Sequence, residues 1–454
     1  MPGSLARLDG VSSINEESCG SFVKDARCFA FTFAQQLDHA DRGVQGAATF
    51  DQRVRLIHRG CSAPTTIADN GYGLPRSYYE FEPSILFETN EIEVEHRFQG
   101  NSLPPVANRT WSTLTIENGA ADLHSVIRAL RPFYPDKWVT TGVSKGGITA
   151  VYHRYFYPND VDGTVAYVAP ASRARSDNRY QQYLDSGVFP AECLANVRGF
   201  QIGGLDTRRG KFVAELSASL GMSAEVASYY LESYMSSFDW AFWQYNGDCA
   251  RVPAPTAPDD DHVAYFRAAL RSDGIVPAPT DAELSSAATA YEWSWQQGFA
   301  QQQGAHVTPF LQMLAGGRGV EAGWRETMPG VPLPAYDGSV TNKVRDWVRD
   351  SAERLVLIYG EYDPWSGGAL DAPRKPSSFR FFVPKAAHDA AMSGLGGAEA
   401  QSAMGAVAAM YGKSMRVASP SDTASVRRRA EAAQLALIEH ERVSMRGVLM
   451  HNLR

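Results

Sequence analysis

The chain has 454 residues, 44% of them hydrophobic and 11% aromatic, too long for one small core and far from the composition of a disordered chain. Charged residues make up 20%, and the net charge of -7 comes from interspersed acids and bases, so there is no basic face to grip a phosphate backbone and nucleic acid is excluded as a partner class. No run approaches the roughly 18 consecutive apolar residues of a membrane span, and Met1 to Gly10 lacks the apolar core of a signal peptide, so a soluble protein without a membrane partner is expected.

From Arg27 to Phe98 the chain reads as strands: Cys28–Phe33, Gln52–His58, Thr65–Ala68 and Ile92–His96, several of them alternating apolar with polar residues, which predicts an antiparallel start. The pattern then changes to an amphipathic helix over Gly119–Leu130, a short apolar strand at Trp138–Val143, a helix over Ile148–Tyr157 stopped by Pro158, and a strand at Thr164–Val168. Alternation of this kind predicts an α/β fold, with a parallel sheet covered on both faces.

Between about Ser172 and Val340 strands give way to helical spacing rich in Ala, Gln and aromatics, among them Phe238, Trp240, Phe242, Trp243, Trp293 and Trp295. Within it Arg251–Pro279 is rich in Pro, Asp and Ala and predicts a surface loop with a short helix. Strands resume at Arg354–Tyr359 and Phe379–Val383, so the helical stretch is an insertion: 1–171 and 341–454 form one sheet domain and 172–340 a cap. Ala400–Arg454 reads as helical, with Arg427, Arg428 and Arg429 on a solvated face.

The segment Lys137-Trp-Val-Thr-Thr-Gly-Val-Ser-Lys-Gly-Gly147 holds a G-x-S-x-G between an apolar run and a helix. The bare pattern is weak, but the strand-turn-helix setting is that of a nucleophile elbow on an α/β-hydrolase sheet: Gly142 and Gly146 leave room for a strained turn that lifts Ser144 above the sheet. The backbone N–H of Lys145, opening the helix, is then the first oxyanion donor. The second falls to Gly71 or Tyr72 in Asn70-Gly-Tyr-Gly73, which follows an early strand but is also an ordinary turn sequence.

A serine hydroxyl needs a base, and the base an acid, in the order Ser, Asp or Glu, His. His388 follows the strand Phe379–Val383 through a short loop, whereas His153 lies on the helix after Ser144, His262 and His306 in the cap, and His440 and His451 in the tail. In Tyr359-Gly-Glu-Tyr-Asp-Pro-Trp365, Asp363 sits at a turn before Pro364 and is preferred over Glu361; Asp389 is too close to His388 in sequence to reach its ring. A catalytic set of Ser144, Asp363 and His388 needs no cofactor or metal. The five cysteines, Cys19, Cys28, Cys61, Cys193 and Cys249, form no CxxC pair and permit either two bridges or five thiols.

Together Val94-Glu-His-Arg-Phe-Gln-Gly100, Thr141-Gly-Val-Ser-Lys-Gly-Gly147, Tyr359-Gly-Glu-Tyr-Asp-Pro-Trp365 and His388 resemble secreted bacterial prolyl tri- and tetrapeptidyl aminopeptidases, distant relatives of lysosomal prolyl carboxypeptidases. The resemblance implies a secreted or periplasmic serine peptidase that takes peptides with a free N-terminus and cleaves after proline, its cap limiting the piece released. Glu95 then either holds the substrate ammonium or pairs with Arg97 in the scaffold. Trp293-Ser-Trp-Gln-Gln297 resembles a cap element of that family without the acid expected after it, which leaves Glu292 and Asp239 as other candidate amine anchors, each also readable as a surface acid. Trp293 and Trp295 line a prolyl pocket or belong to the core. An esterase or lipase shares the elbow, and a non-catalytic binding protein shares the fold.

Overall fold

The computed structural model describes residues 7–105, 109–272, 280–314, 328 and 330–414. Nine strands, β1 (Val11–Glu17), β2 (Arg27–Gln36), β3 (Thr49–His58), β4 (Thr65–Asp69), β5 (Asn90–Val94), β6 (Trp138–Val143), β7 (Gly163–Tyr167), β8 (Leu355–Gly360) and β9 (Phe379–Val383), form one sheet. Their order is β1-β2-β3-β5-β4-β6-β7-β8-β9. β1, β2, β3 and β5 pair antiparallel, and every later pairing is parallel. Strands β4 to β8 are buried at every position, which is why all but β5, whose Glu91 and Glu93 are buried acids, read as apolar and threonine-rich runs without alternation.

Helices α2 (Ile116–Leu130), α3 (Lys145–Phe156) and α11 (Ser339–Asp350) cover one face. Leu123, Val126, Ile127 and Leu130 pack on Phe29, Ile67 and Ile92, while Ile148 and Val151 meet Val344, Val348 and Leu357. On the other face α12 (Gly397–Met410) sets Ala403, Val407 and Met410 against Val139, Val165 and Val356. A short α1 (Glu82–Phe87) precedes β5. The tail beyond 414, with Arg427–Arg429, lies outside the described residues.

Between β7 and β8 run α4 (Arg179–Leu184), α5 (Ala191–Leu205), α6 (Arg209–Leu220), α7 (Ala224–Ser236), α8 (Phe238–Gln244), α9 (Asp259–Ser272), α10 (Thr280–Glu292) and a π-helical turn, Trp293–Gln297. This is the expected helical cap of an α/β hydrolase. The cap core, with Phe238, Trp240, Phe242 and Trp243, is continuous with Tyr72 and Trp365 from loops at the sheet's edge, so the insertion is packed onto the sheet.

Several expectations need adjustment. β1 was not anticipated: its polar sequence belongs to an exposed edge strand, with a register irregularity between Ser12 and Asn15. β5 ends at Val94 because the chain turns off the sheet through Glu95–Gly100, with Phe98 at φ 62°. The short helix expected within the surface loop Arg251–Pro279 is the 14-residue α9, and residues 273–279 lie outside the described ones. α11 carries a narrow apolar stripe on a charged helix and so did not stand out in sequence.

The cysteines form two bridges, Cys19–Cys28 and Cys193–Cys249, leaving Cys61 free and exposed. Cys193–Cys249 spans 56 residues of the cap. On chain-entropy grounds its loss costs about 4 kcal/mol. A Cys193→Ser, Cys249→Ser variant is expected to unfold its cap at lower temperature than the parent, whereas Cys61→Ser leaves the melting profile unchanged by calorimetry.

Candidate active site

The elbow is set by backbone crowding. Ser144 leaves β6 at φ 54° and ψ -121°, a conformation strained for a residue with a Cβ, and α3 begins at the next residue. A Cβ on Gly142 would lie under 3.0 Å from the Gly146 carbonyl, and one on Gly146 under 3.0 Å from the Asp69 carbonyl. Only glycine lets the turn nest against β4. The backbone N–H of Ser144 donates to Tyr167 O at 2.9 Å, fixing the residue to β7.

Asp363 follows β8 and His388 follows β9, so both reach the carboxyl edge of the sheet where Ser144 stands, the edge at which open α/β sheets bind ligands. His388 Nδ1 lies 2.7 Å from Asp363 Oδ2, and the other oxygen, Oδ1, accepts from Trp365 N at 3.0 Å. Neither side chain has any exposed surface. The His388 N–H donates to Gln244 O on α8 at 3.3 Å, so the cap helps seat the histidine loop. Glu361 accepts from Lys385 N at 2.8 Å, tying the loop after β8 to the loop after β9, and Asp389 pairs with Asn246 at 2.7 Å. His153 meets Asp160, His262 the Ala254 carbonyl and His306 Gln201; His440 and His451 lie outside the described residues.

The two residues named for the second oxyanion donor differ. Gly71 N donates to Asp69 Oδ1 at 2.6 Å, so it is turned away toward the strand it left. A Cβ on Gly71, at φ 74°, would lie under 3.0 Å from Gly146 N and Lys145 Cβ, so the loop packs directly on the start of α3. Tyr72 follows at the edge of a cavity that Ser144, Lys145, Ile148, Ser172, Trp293 and Trp365 also line.

Trp293 stacks on Phe299 with ring centroids 4.2 Å apart, and Phe299 meets Trp365 at 5.5 Å, giving that cavity an aromatic wall. Trp295 is not part of it. Two positions along the π-turn it swings the other way, packing edge-on to Tyr291 at 5.4 Å in a separate core.

Glu95 neither faces the cavity nor pairs with Arg97. Its carboxylate accepts from Leu74 N at 2.9 Å, Asn101 N at 2.9 Å and Ser102 Oγ at 2.8 Å, tying two loops together. Arg97 instead forms a bidentate pair with Asp122 on α2, both bonds 2.8 Å. Asp239 and Glu292 are fully buried rather than surface acids. Asp239 is held inside the cap by Gln201 and Arg198.

Glu292 enters a buried charge cluster that sequence reading missed. Its Oε1 is 3.0 Å from His96 Nε2, its Oε2 is 2.9 Å from Lys145 Nζ, and His96 Nδ1 is 2.9 Å from Asp69. Burial works against a charge on His96, and Lys145 repels it, yet Asp69 and Glu292 outweigh both and its pKa is pushed up to about 9. Burial likewise resists ionisation of Glu292, but Lys145 and His96 draw its pKa down to about 2. The one sequence signal was the Glu-His-Arg run, and its partners lie 27 and 196 residues away.

Residues 3–439 match the model of the PS-10 peptidase S37 family. The chain belongs to that family. It is 30% identical over 396 residues to the prolyl tri/tetrapeptidyl aminopeptidase of Streptomyces mobaraensis, covering 85% of this chain and 79% of that one. Among solved structures it matches a proline iminopeptidase from Mycobacterium smegmatis (12% identity, TM-score 0.31, 83% of this chain and 91% of that one). It also matches the peroxisomal α/β-hydrolase Lpx1 of Saccharomyces cerevisiae (10%, TM-score 0.35, 92% and 99%). Family membership makes the protein a serine peptidase of α/β-hydrolase fold.

Proposed function

We propose that this peptidase releases short N-terminal peptides by cleaving after proline, through an acyl-enzyme on Ser144. The observation that carries the mechanism is the 2.7 Å contact of His388 Nδ1 with Asp363 behind an elbow that presents Ser144. Ser144 Oγ attacks the carbonyl of the proline while His388 takes its proton and passes it to the departing amine of the next residue. Asp363 holds the ring's tautomer and stabilises the imidazolium, and water then resolves the ester by the same route. The oxyanion is met by the N–H of Lys145, which as the first helical residue has no intrahelical partner, and by that of Tyr72.

The aromatic lining beside Ser144 supports proline as the residue before the cut, with the cavity, about 20 Å³ in this structure, having to widen to take the ring. Trp293, Phe299 and Trp365 offer flat apolar faces to a compact ring that loses little entropy on binding. The cap packed over this edge, with 172–340 as its span, favours substrates entering by a free N-terminus. Two disulfides support action in an oxidising, secreted or periplasmic setting. Among the described residues no helix is long and apolar enough to cross a membrane.

The test compares release of a chromogenic amine from Ala-Ala-Pro with a free N-terminus, from the same peptide N-acetylated, and hydrolysis of a butyrate ester. Fast turnover confined to the free-amine peptide is the expected result. Equal cleavage of the blocked peptide removes the N-terminal requirement, and ester-only activity removes the peptide reading.

A further inference from the structure

The Gly71–Tyr72 peptide is gripped through its carbonyl. Lys145 Nζ donates to Gly71 O at 2.7 Å, and the same ammonium stands 2.9 Å from Glu292 Oε2. A trans peptide is planar with its N–H directed opposite its C=O, so whatever fixes the Gly71 carbonyl also aims the Tyr72 N–H. The flanking groups are fixed by the second arm of the cluster. Asp69, held by His96 Nδ1, accepts from Gly71 N at 2.6 Å, and the backbone N–H of His96 donates to Tyr72 O at 3.1 Å.

Both arms end on one carboxylate. Glu292 gives one oxygen to Lys145 and the other to His96, and no side chain of the four is more than 2% exposed. Glu292 lies on α10, so the cap supplies it, whereas Asp69, His96 and Lys145 belong to the sheet domain. A lysine buried without a counter-charge is strongly disfavoured, and without Glu292 its ammonium has reason to swing toward water and release the Gly71 carbonyl.

We infer that Glu292 is a positioning residue, through which the seated cap locks the Gly71–Tyr72 peptide as the second oxyanion donor. The inference rests on the reading of Ser144 as nucleophile and Tyr72 N as donor. It also gives Lys145 two tasks, one for its backbone N–H and one for its ammonium.

The experiment measures kcat and KM on free-amine Ala-Ala-Pro chromogenic amide for Glu292→Gln and Glu292→Asp, with Ser144→Ala in parallel. Losing one oxyanion donor outright costs about 10²- to 10³-fold in kcat. A misaimed donor is expected to cost about 10- to 100-fold in Glu292→Gln, with KM within about threefold and fluorophosphonate labelling slowed in the same proportion. Glu292→Asp, which keeps the charge, is expected to recover part of the loss, and it decides by the same criteria if Glu292→Gln does not fold.

The unmodified chain gives a further readout. The charged groups facing His96 are Asp69, Glu292 and Lys145, and kcat should fall on the alkaline side near pH 9, where His96 gives up the proton that joins the two carboxylates, whereas loss of the substrate's own ammonium at about pH 8 enters through KM. A folded Glu292→Gln with unchanged kcat, a rise in KM alone (which would make Glu292 a substrate contact), or kcat level through pH 10 overturns the inference. Full activity in Ser144→Ala overturns the nucleophile reading instead, so the two failures are separable.

Discussion

Ser144→Ala is expected to lower kcat by roughly 10⁴- to 10⁶-fold while leaving the fold and its melting profile in place, because an acyl-enzyme has no other atom to form on. Alanine keeps the Cβ, so it meets the same positive φ that Gly142 and Gly146 already accommodate, and no new clash arises. His388→Ala is expected to cost about as much, and the double variant little more than either alone, since serine and histidine act as a unit. Asp363→Asn should be milder in labelling but severe in turnover: an amide facing Nδ1 favours the wrong tautomer. Active-site titration with a fluorophosphonate and burst kinetics check all four. Labelling that persists in Ser144→Ala, or turnover within tenfold of the parent, would discard Ser144 as nucleophile.

How much of this was legible in sequence depended on whether a residue's partners were local. The elbow was legible because Gly142, Ser144 and Gly146 meet within one turn, between a strand and a helix that each announce themselves. His388 and Asp363 were legible because chain order places them after the last two strands. Strands β4, β6, β7 and β8 were legible because burial on both faces forces continuous apolar and threonine content. β1 and α11 were not, since an edge strand and a helix with one narrow buried stripe present mostly polar residues. The Glu95–Arg97 segment misled for a different reason. Adjacent opposite charges suggest a pair, but once the chain leaves β5 at Val94 its side chains diverge, Glu95 toward Leu74 and Ser102, His96 toward Asp69 and the cap, Arg97 toward α2. Trp293 and Trp295 could not be separated for a similar reason, because whether they share a face depends on the winding of the π-turn that carries them.

Arg97→Ala is expected to be the most destabilising single change outside the elbow, by about 3–5 kcal/mol, because it leaves a carboxylate buried without its guanidinium. Arg97 is fully buried and makes two bonds to Asp122, two more to Leu37 O at 3.0 Å and Thr113 O at 2.7 Å, and a fifth to Gln36 O at 3.2 Å. It therefore joins the end of β2, the loop before α2, and α2 itself. Lysine cannot replace that fork, so Arg97→Lys should recover only a fraction of the loss. The pH dependence identifies the cause. Burial opposes the charge on Asp122, but Arg97 and His39 overcome it and hold its pKa below the ordinary carboxylate value of 3.8. A carboxylate with a depressed folded pKa contributes stability above its unfolded pKa and loses it as pH falls through the folded value. The gap in thermal midpoint between parent and Arg97→Ala should thus be widest near neutrality and narrow below about pH 4, as the parent loses the pair and the variant sheds its unpaired charge. A gap that stays constant down to pH 3 would mean that Arg97 acts by filling space rather than by neutralising Asp122.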